Sequence, residues 1–285
     1  MQELLSSPQA LVQLGETVKQ LLCLMALCGM RMFAMAQLFV PLNDTAISGP
    51  MRNGMCLTFT IFIAWAQPID VVASMSTLML AGLILKELMI GVVIGFSASL
   101  VFWVAEGVGA LIDNQAGFSN AQQKNMMSGE DATPVANLLG QLAQGCFWIL
   151  GGMTVLLGVI YESYAWWPLY RITPDMPQVL ERFLAAEVKQ LMVTMLTLAS
   201  PMLLVLLMVD LTFGVLAKTA DKLEPNNLAQ PIKGAIALLM LSVLVAVYFQ
   251  QSRPALSLRQ LAGEMRYWMQ PREAPSAPAP QPAPR

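Results

Sequence analysis

LILKELMIGV VIGFSASLVF WVAEGVGALI DNQAGFSNAQ QKNMMSGEDA TP, residues Leu83–Pro134, is a membrane-type helix that runs out into a polar loop. Its apolar part is interrupted by the adjacent charges Lys86 and Glu87 and carries Gly91 and Gly95. From Asp113 the chain turns polar, through Asn114, Gln115, Gly117, Phe118 and Gln123 to the pair Met126–Met127, before a new apolar run begins after Pro134. A loop of about 20 residues without an apolar pattern is uncommon in a compact domain, and is usually functional or disordered. The pattern points to a segment that lines or blocks something.

Composition narrows the class. Of 285 residues, 56% are hydrophobic and 12% charged, against about 25% charged in soluble domains. The deficit places the chain with membrane or membrane-complex proteins. A net charge of −2 and the lack of a basic stripe speak against nucleic acid as a partner. There is no histidine, so no Ser-His-Asp or Cys-His nucleophile system can be assembled. Zinc likewise loses its commonest nitrogen ligand. Cys23, Cys28, Cys56 and Cys146 each lie in apolar runs without a C-x-x-C pair, and read as small buried hydrophobes. An intramembrane Ser-Lys or paired-Asp centre finds no matched partner for Lys86 or Asp210. No catalytic, cofactor or metal residue is expected, and the chain is not expected to be an enzyme. The first residues lack the basic region of a cleaved signal peptide, so the first apolar helix is expected to serve as an insertion signal.

A bilayer span takes about 20 mostly apolar residues. The apolar stretches predict an all-α, multi-helix membrane-complex protein of helical hairpins with kinked and interrupted helices. The expected helices are about 17–40, 53–69, 71–112, 135–161, 178–217 and 234–252, in one domain over 1–265. A loop is expected at 114–134 and a disordered Pro/Ala-rich tail at 271–285. Nearly every helix is interrupted: Arg31 in the first, Lys86–Glu87 dividing 71–85 from 88–112, Pro201 and Asp210 within 188–217. Charge inside a membrane is costly, so many of these helices are expected to face protein and not lipid. Arginines 253, 259, 266 and 272 would put the tail on the cytoplasmic side, yet Lys218, Lys222 and Lys233 bias the other flank of 234–252 the same way. Trp166, Trp167, Tyr161, Tyr164 and Tyr170 read as an aromatic anchor at membrane level.

Glu87-x3-Gly91-x3-Gly95 puts an acid and two glycines on one helix face, and small residues four apart let another backbone come close. Ordinary packing and a tight joint between subunits both fit this spacing. In either case a buried Glu87 needs a basic group, from a partner or from Lys86. Gly109-x3-Asp113-x3-Gly117 continues the pattern, with Asp113 placed to cap the next segment or to accept N–H groups at the turn. Met126 and Met127 fill irregular gaps or make a deformable seal. Asp210 and Lys218 share a helix face two turns apart without pairing, and carboxylates are too few for a proton relay.

In this order and spacing, several segments resemble one family. They are Lys86–Gly95, Gly109–Gly117, Ser163-Tyr164 with Trp167-Pro168, Ala199-Ser200-Pro201 with Asp210, Gly214 and Leu216, and Glu224-Pro225-Asn226-Asn227 with Pro231-Ile232-Lys233. The family is the membrane export protein of type III secretion systems, SctT in injectisomes and FliR in flagella. The likeness covers most of residues 10–265, and the Ser-Tyr…Trp-Pro turn is more similar to the injectisome, or virulence, branch. An Asp-Pro pair frequent in the family after the loop is replaced here by Glu130-Asp131-Ala132-Thr133-Pro134.

The resemblance implies a non-enzymatic subunit of an export gate in the bacterial inner membrane, partly above the membrane plane on the periplasmic side. Its implied partners are the R-type and S-type gate proteins (SctR, SctS), the U-type switch protein (SctU), the V-type export protein (SctV) and, transiently, unfolded secreted proteins. It implies a pore plug at about Asn114–Ser128, with Asn114, Gln115, Gly117, Phe118, Gln123, Met126 and Met127. Subunit packing is implied for Glu87, Gly91, Gly95, Gly109 and Asp113, and a closing motif for Pro225, Asn226, Pro231 and Lys233. The alternative is a stand-alone secondary transporter or small-solute channel, which also breaks helices and buries charge. That alternative calls for inverted internal symmetry, which the sequence does not display.

Overall fold

The computed structural model describes residues 8–43, 46–67, 75–118, 123–124, 131–170, 176–219, 225–256 and 263. Among them the chain is all-α. The helices are α1 (Pro8–Leu38), α2 (Gly49–Trp65), α3 (Thr77–Ala116), α4 (Pro134–Ile149), α5 (Gly152–Trp166), α6 (Met176–Thr219) and α7 (Pro225–Leu256), with a 3-10 turn at Val40–Leu42. The only extended pairing among the described residues is a two-residue antiparallel ladder, Gln123–Lys124 against Asp131–Ala132.

Helix α3 is the axis, and α1, α4, α6 and α7 all pack on it. Ser76 caps its start by accepting the Met79 N–H at 3.3 Å. No proline interrupts its 40 residues, which extend about 60 Å at 1.5 Å per residue, twice the ~30 Å bilayer core. It ends where Gly117 takes a left-handed φ of 84°, which glycine adopts without a Cβ penalty. The Gly117 and Phe118 N–H groups then both donate to the Asp113 carbonyl. The main core lies where α3 meets the residue that follows α1 and the inner face of α4. There Phe39, Phe102 and Phe147 are fully buried and packed edge to face, with ring centroids 5.3–5.8 Å apart. Burying each such side chain stabilises by about 1.5–3 kcal/mol. A smaller cluster joins Leu24, Leu27 and Cys28 of α1, Ile63 and Ala64 of α2, Leu83 and Leu169.

Several expected boundaries move. The helix expected at 135–161 is two, α4 and α5, bent by 71°; Gly151 at φ 72° turns the chain, and an apolar run alone does not reveal such a turn. The loop expected from 114 begins later, because Asn114, Gln115 and Ala116 complete α3. Helix α7 starts at Pro225 and not 234: proline suits a first turn, whose N–H groups have no intrahelical partner. Pro201 stays inside α6; the Thr197 carbonyl it cannot bond accepts the Ser200 hydroxyl at 3.0 Å. The aromatic anchor is partly interior: Trp167 is buried and Tyr164 packs on the core. Met126, Met127 and the tail 271–285 lie outside the described residues.

Among the described residues, four helices are long and apolar enough to cross a membrane: Leu11–Leu38, Thr77–Ala116, Ala185–Lys218 and Ala229–Val247. Their surroundings differ. In the apolar window of α3, 67% of residues are buried inside the protein, against 22% in α6 and 18% in α7. Helix α3, as apolar as α6, therefore faces protein, while α6 and α7 leave most of their apolar surface to be covered from outside.

Gly91 marks the closest approach of α1 and α3. A Cβ there would run into the Arg31 carbonyl oxygen and come within 2.7 Å of the Ala34 Cβ. Gly91→Ala is expected to force the helices apart, at about 1–3 kcal/mol. Gly82→Ala, where a Cβ meets nothing within 4 Å, should be neutral or stabilising. Thermal unfolding in detergent compares the two; equal melting temperatures would refute the close-contact account.

Candidate functional site

Glu87, Gly91, Gly95, Gly109 and Asp113 fall within a sector of about 80° on α3, at 3.6 residues per turn. The first three face α1, where a Cβ on Gly95 would stand 2.7 Å from the Met35 carbonyl oxygen. Gly109 lies against the Ala136 backbone at the start of α4. The stripe expected to join subunits thus makes joints inside the chain. Its small residues are consumed by α1 and α4, and so are not a free surface for a partner.

At one end of the stripe is a buried charge cluster. Arg31 of α1 holds Glu87 of α3 through two bonds, Nε to Oε2 at 2.7 Å and Nη2 to Oε1 at 3.0 Å, and both side chains are fully buried. Lys86 Nζ lies 2.8 Å from the same Oε1. The partner of Glu87 is therefore internal: Arg31, together with the expected Lys86. The remaining donors go to the end of α5 and the turn after it. Arg31 Nη1 donates to Ser163 Oγ at 2.7 Å and Nη2 to the Trp167 carbonyl at 3.1 Å. Lys86 donates to the carbonyls of Pro168 and Leu169 at 2.9 and 3.2 Å. The Tyr164 ring lies under the guanidinium, 4.0 Å from ring centroid to Cζ, while its hydroxyl donates to the Cys28 carbonyl at 2.8 Å. The Ser-Tyr…Trp-Pro turn is the receptor for two cations. The sequence marks Arg31 as awkward without revealing this receptor, because it lies more than 130 residues further along the chain.

At the other end of the stripe, Asp113 holds both ends of the loop. Its carbonyl accepts from Gly117 and Phe118. Its Oδ2 accepts the N–H groups of Val135 and Ala136 at 2.8 and 3.1 Å. It thereby caps α4, a task the Thr133 side chain does not perform. The carboxylate is fully buried at the positive end of a helix dipole. One residue thus ties the exit of α3 to the entry of α4, as the expected capping role required.

The rest of the expected site divides. Gln115 donates to Asp210 Oδ2 at 2.9 Å, and Phe118 packs against the main core. Asn114 is exposed on the last turn of α3, and Gln123 lies in the ladder. Pro225 and Asn226 open α7, Pro231 is exposed on it, and Lys233 pairs with Asp210 Oδ1. The sequence does not reveal the Asp210–Lys233 pair, although Asp210 lies nine residues before the end of α6 at Thr219 and Lys233 eight after the start of α7 at Pro225. That symmetry is the signature of contact across a hairpin.

The sequence profile of the bacterial export proteins, family 1, matches residues 22–257. Yop proteins translocation protein T of Yersinia pestis is 29% identical over 204 residues, 70% of this chain and 76% of its own length. Surface presentation of antigens protein SpaR of Salmonella typhimurium is 28% identical over 223 residues, 78% of this chain and 81% of its own. Secretion system apparatus protein SsaT of the same species is 28% identical over 234 residues, 81% and 90% of the two chains.

Proposed function

We propose, from the premise that this chain belongs to the bacterial export proteins, family 1, that it is the gate subunit that plugs a protein-export pore. As a member of that family it is a structural component of the type III secretion export apparatus, housed in a membrane, and not an enzyme. The finer reading is ours. The chain assembles with R-type and S-type gate proteins in the bacterial inner membrane, alongside the U-type and V-type components. Unfolded substrates pass when the loop after α3 moves. The relatives' names, which speak of translocation, antigen presentation and a secretion apparatus, support the injectisome branch.

One observation carries the reading. The chain leaves α3 and enters α4 at a single buried residue, Asp113, whose carbonyl binds the exit and whose carboxylate binds the re-entry. A loop held in this way can be displaced without unravelling the helices that bear it. The poorly covered α6 and α7 leave apolar surface that partner helices of the complex can cover.

The test is co-expression with and without the R-type and S-type proteins, with measurement of the mass of the intact complex and of its ion conductance. One defined complex containing this chain, with poor yield of the chain alone, is the expected outcome. Deleting 118–128 in that complex should let small ions leak. A stable lone monomer, or a deletion that leaves conductance unchanged, would sink the gate or the plug respectively.

A further inference from the structure

Twenty residues of α6, between Lys189 and Asp210, carry no charge, and neither do nineteen of α7, between Lys233 and Arg253. At 1.5 Å per residue these belts are about 30 and 28 Å long, the thickness of the ~30 Å hydrocarbon core of a bilayer. Asp210 pairs with Lys233 across the hairpin, so the two helices run antiparallel with their belts in register. Lys189 and Arg253 then fall at one level at the far end, 21 and 20 residues from that pair. Charge brackets the uncharged belt on both sides.

The outer surface of the belt suits hydrocarbon. The exposed hydroxyls of Thr197, Ser200 and Ser242 donate to the carbonyls of Val193, Thr197 and Leu239 at 2.7, 3.0 and 2.8 Å, each in its own helix. They ask nothing of a neighbour, as a medium without hydrogen-bonding groups requires. The side chains turned outward are mostly long aliphatics, among them Leu196, Leu204 and Leu207 of α6 and Leu238 and Leu239 of α7. The close helix joints of this chain use glycine instead, at Gly91, Gly95 and Gly109.

A cavity of about 100 Å³ opens in the middle of this belt. Val108 of α3 and Leu198 of α6 form its buried back, while Pro201, Val243 and Val247 form its exposed mouth, beside Met240. Every residue that lines it is apolar. Pro201 and Val243 stand near the midpoints of their belts, the depth at which the ends of acyl chains lie in a bilayer. An apolar protein cavity of about 150 Å³ stays dry and takes up benzene, so a hydrocarbon suits this one. A helix, about 10–12 Å across with its side chains, is too wide to enter.

We propose that this cavity is a site for one acyl chain of a membrane lipid, whose end it seats at mid-bilayer against α3. The lipid fills the gap that α6 and α7 leave over Val108, and the charges at the two ends of the hairpin stand at the headgroup levels. The site is independent of the plug reading, and requires only that the chain is housed in a membrane.

The test uses the assembled complex in phosphatidylcholine vesicles whose lipid carries a photoreactive diazirine, either at the chain end or beside the headgroup. After illumination, adducts are mapped by mass spectrometry, with assembly yield read in parallel. The chain-end probe is expected to label Pro201, Met240 and Val243, and the headgroup probe to label residues beside Lys189 and Lys233 instead. Val243→Trp fills the mouth and should cut the cavity adducts about tenfold, the effect of withdrawing about two methylenes from an apolar site. Val247→Phe fills it from the next turn, should the first variant fail to assemble. Leu239→Trp, exposed on the same helix but outside the cavity, should leave the adducts unchanged. Adducts that survive both fillers, or equal labelling of the cavity by the two probes, overturn the site. A cavity left unlabelled in the assembled complex also overturns it, because a partner's side chain then covers the mouth.

Discussion

Glu87→Ala is expected to lower stability by about 3–5 kcal/mol, the usual cost of breaking a buried ion pair from one side. The carboxylate answers two cations, Arg31 at 2.7 Å and Lys86 at 2.8 Å. Removing it leaves like charges together inside the protein, and in a chain stabilised by about 5–15 kcal/mol this approaches loss of the fold. Arg31→Met should cost less, because Glu87 keeps Lys86, and Ser163 keeps its own bond to the Ile160 carbonyl. Thermal unfolding of the purified complex and steady-state abundance in cells both report the difference. If Arg31→Met is as damaging as Glu87→Ala, net charge in the cluster is not what governs it, and lost packing against Tyr164 becomes the better account.

Asp113→Ala is expected to cost about 2–3 kcal/mol, and to disturb the loop more than the core. Two charge-assisted bonds to the first turn of α4 disappear, and hydrogen bonds to charged groups contribute about 1.5–3 kcal/mol. Asp113→Asn retains an acceptor oxygen but gives up the favourable charge at the helix start, about 0.3–1 kcal/mol. Melting temperatures should therefore fall in the order wild type, Asn, Ala. In the assembled complex the Ala variant should leak ions, since the entry of α4 is no longer tied to the exit of α3. An Ala variant as stable and as tight as wild type would show that Thr133 and Pro134 start the helix unaided.

The two charge clusters are unequally legible in the chain. Asp113 reads as a cap because its partners come within about one loop, and the polar run between apolar helices announces a turn. Glu87 reads as needing a cation, but Arg31 cannot be chosen over a partner's side chain, because 56 residues separate them. The glycine stripe is legible as a close-contact face, and ambiguous as to what contacts it. The bend at Gly151 is signalled only by the Gly151-Gly152 pair, set in an otherwise apolar run that carries no period to mark a break.

By itself, then, the chain determined its class: helices, because long apolar runs must satisfy their backbone groups internally, and a secretion-type membrane component, because weak motifs recur in a specific order. Tertiary structure alone decided which apolar helix faces protein. Hydropathy ranks α3 and α6 as equals, yet 67% of the apolar window of α3 is enclosed, while α6 and α7 stay open. The reason is that apolar side chains are equally at home against lipid or protein. Only the positions of neighbouring helices, set here by Arg31, Asp113 and the stripe between them, determine which of the two they meet.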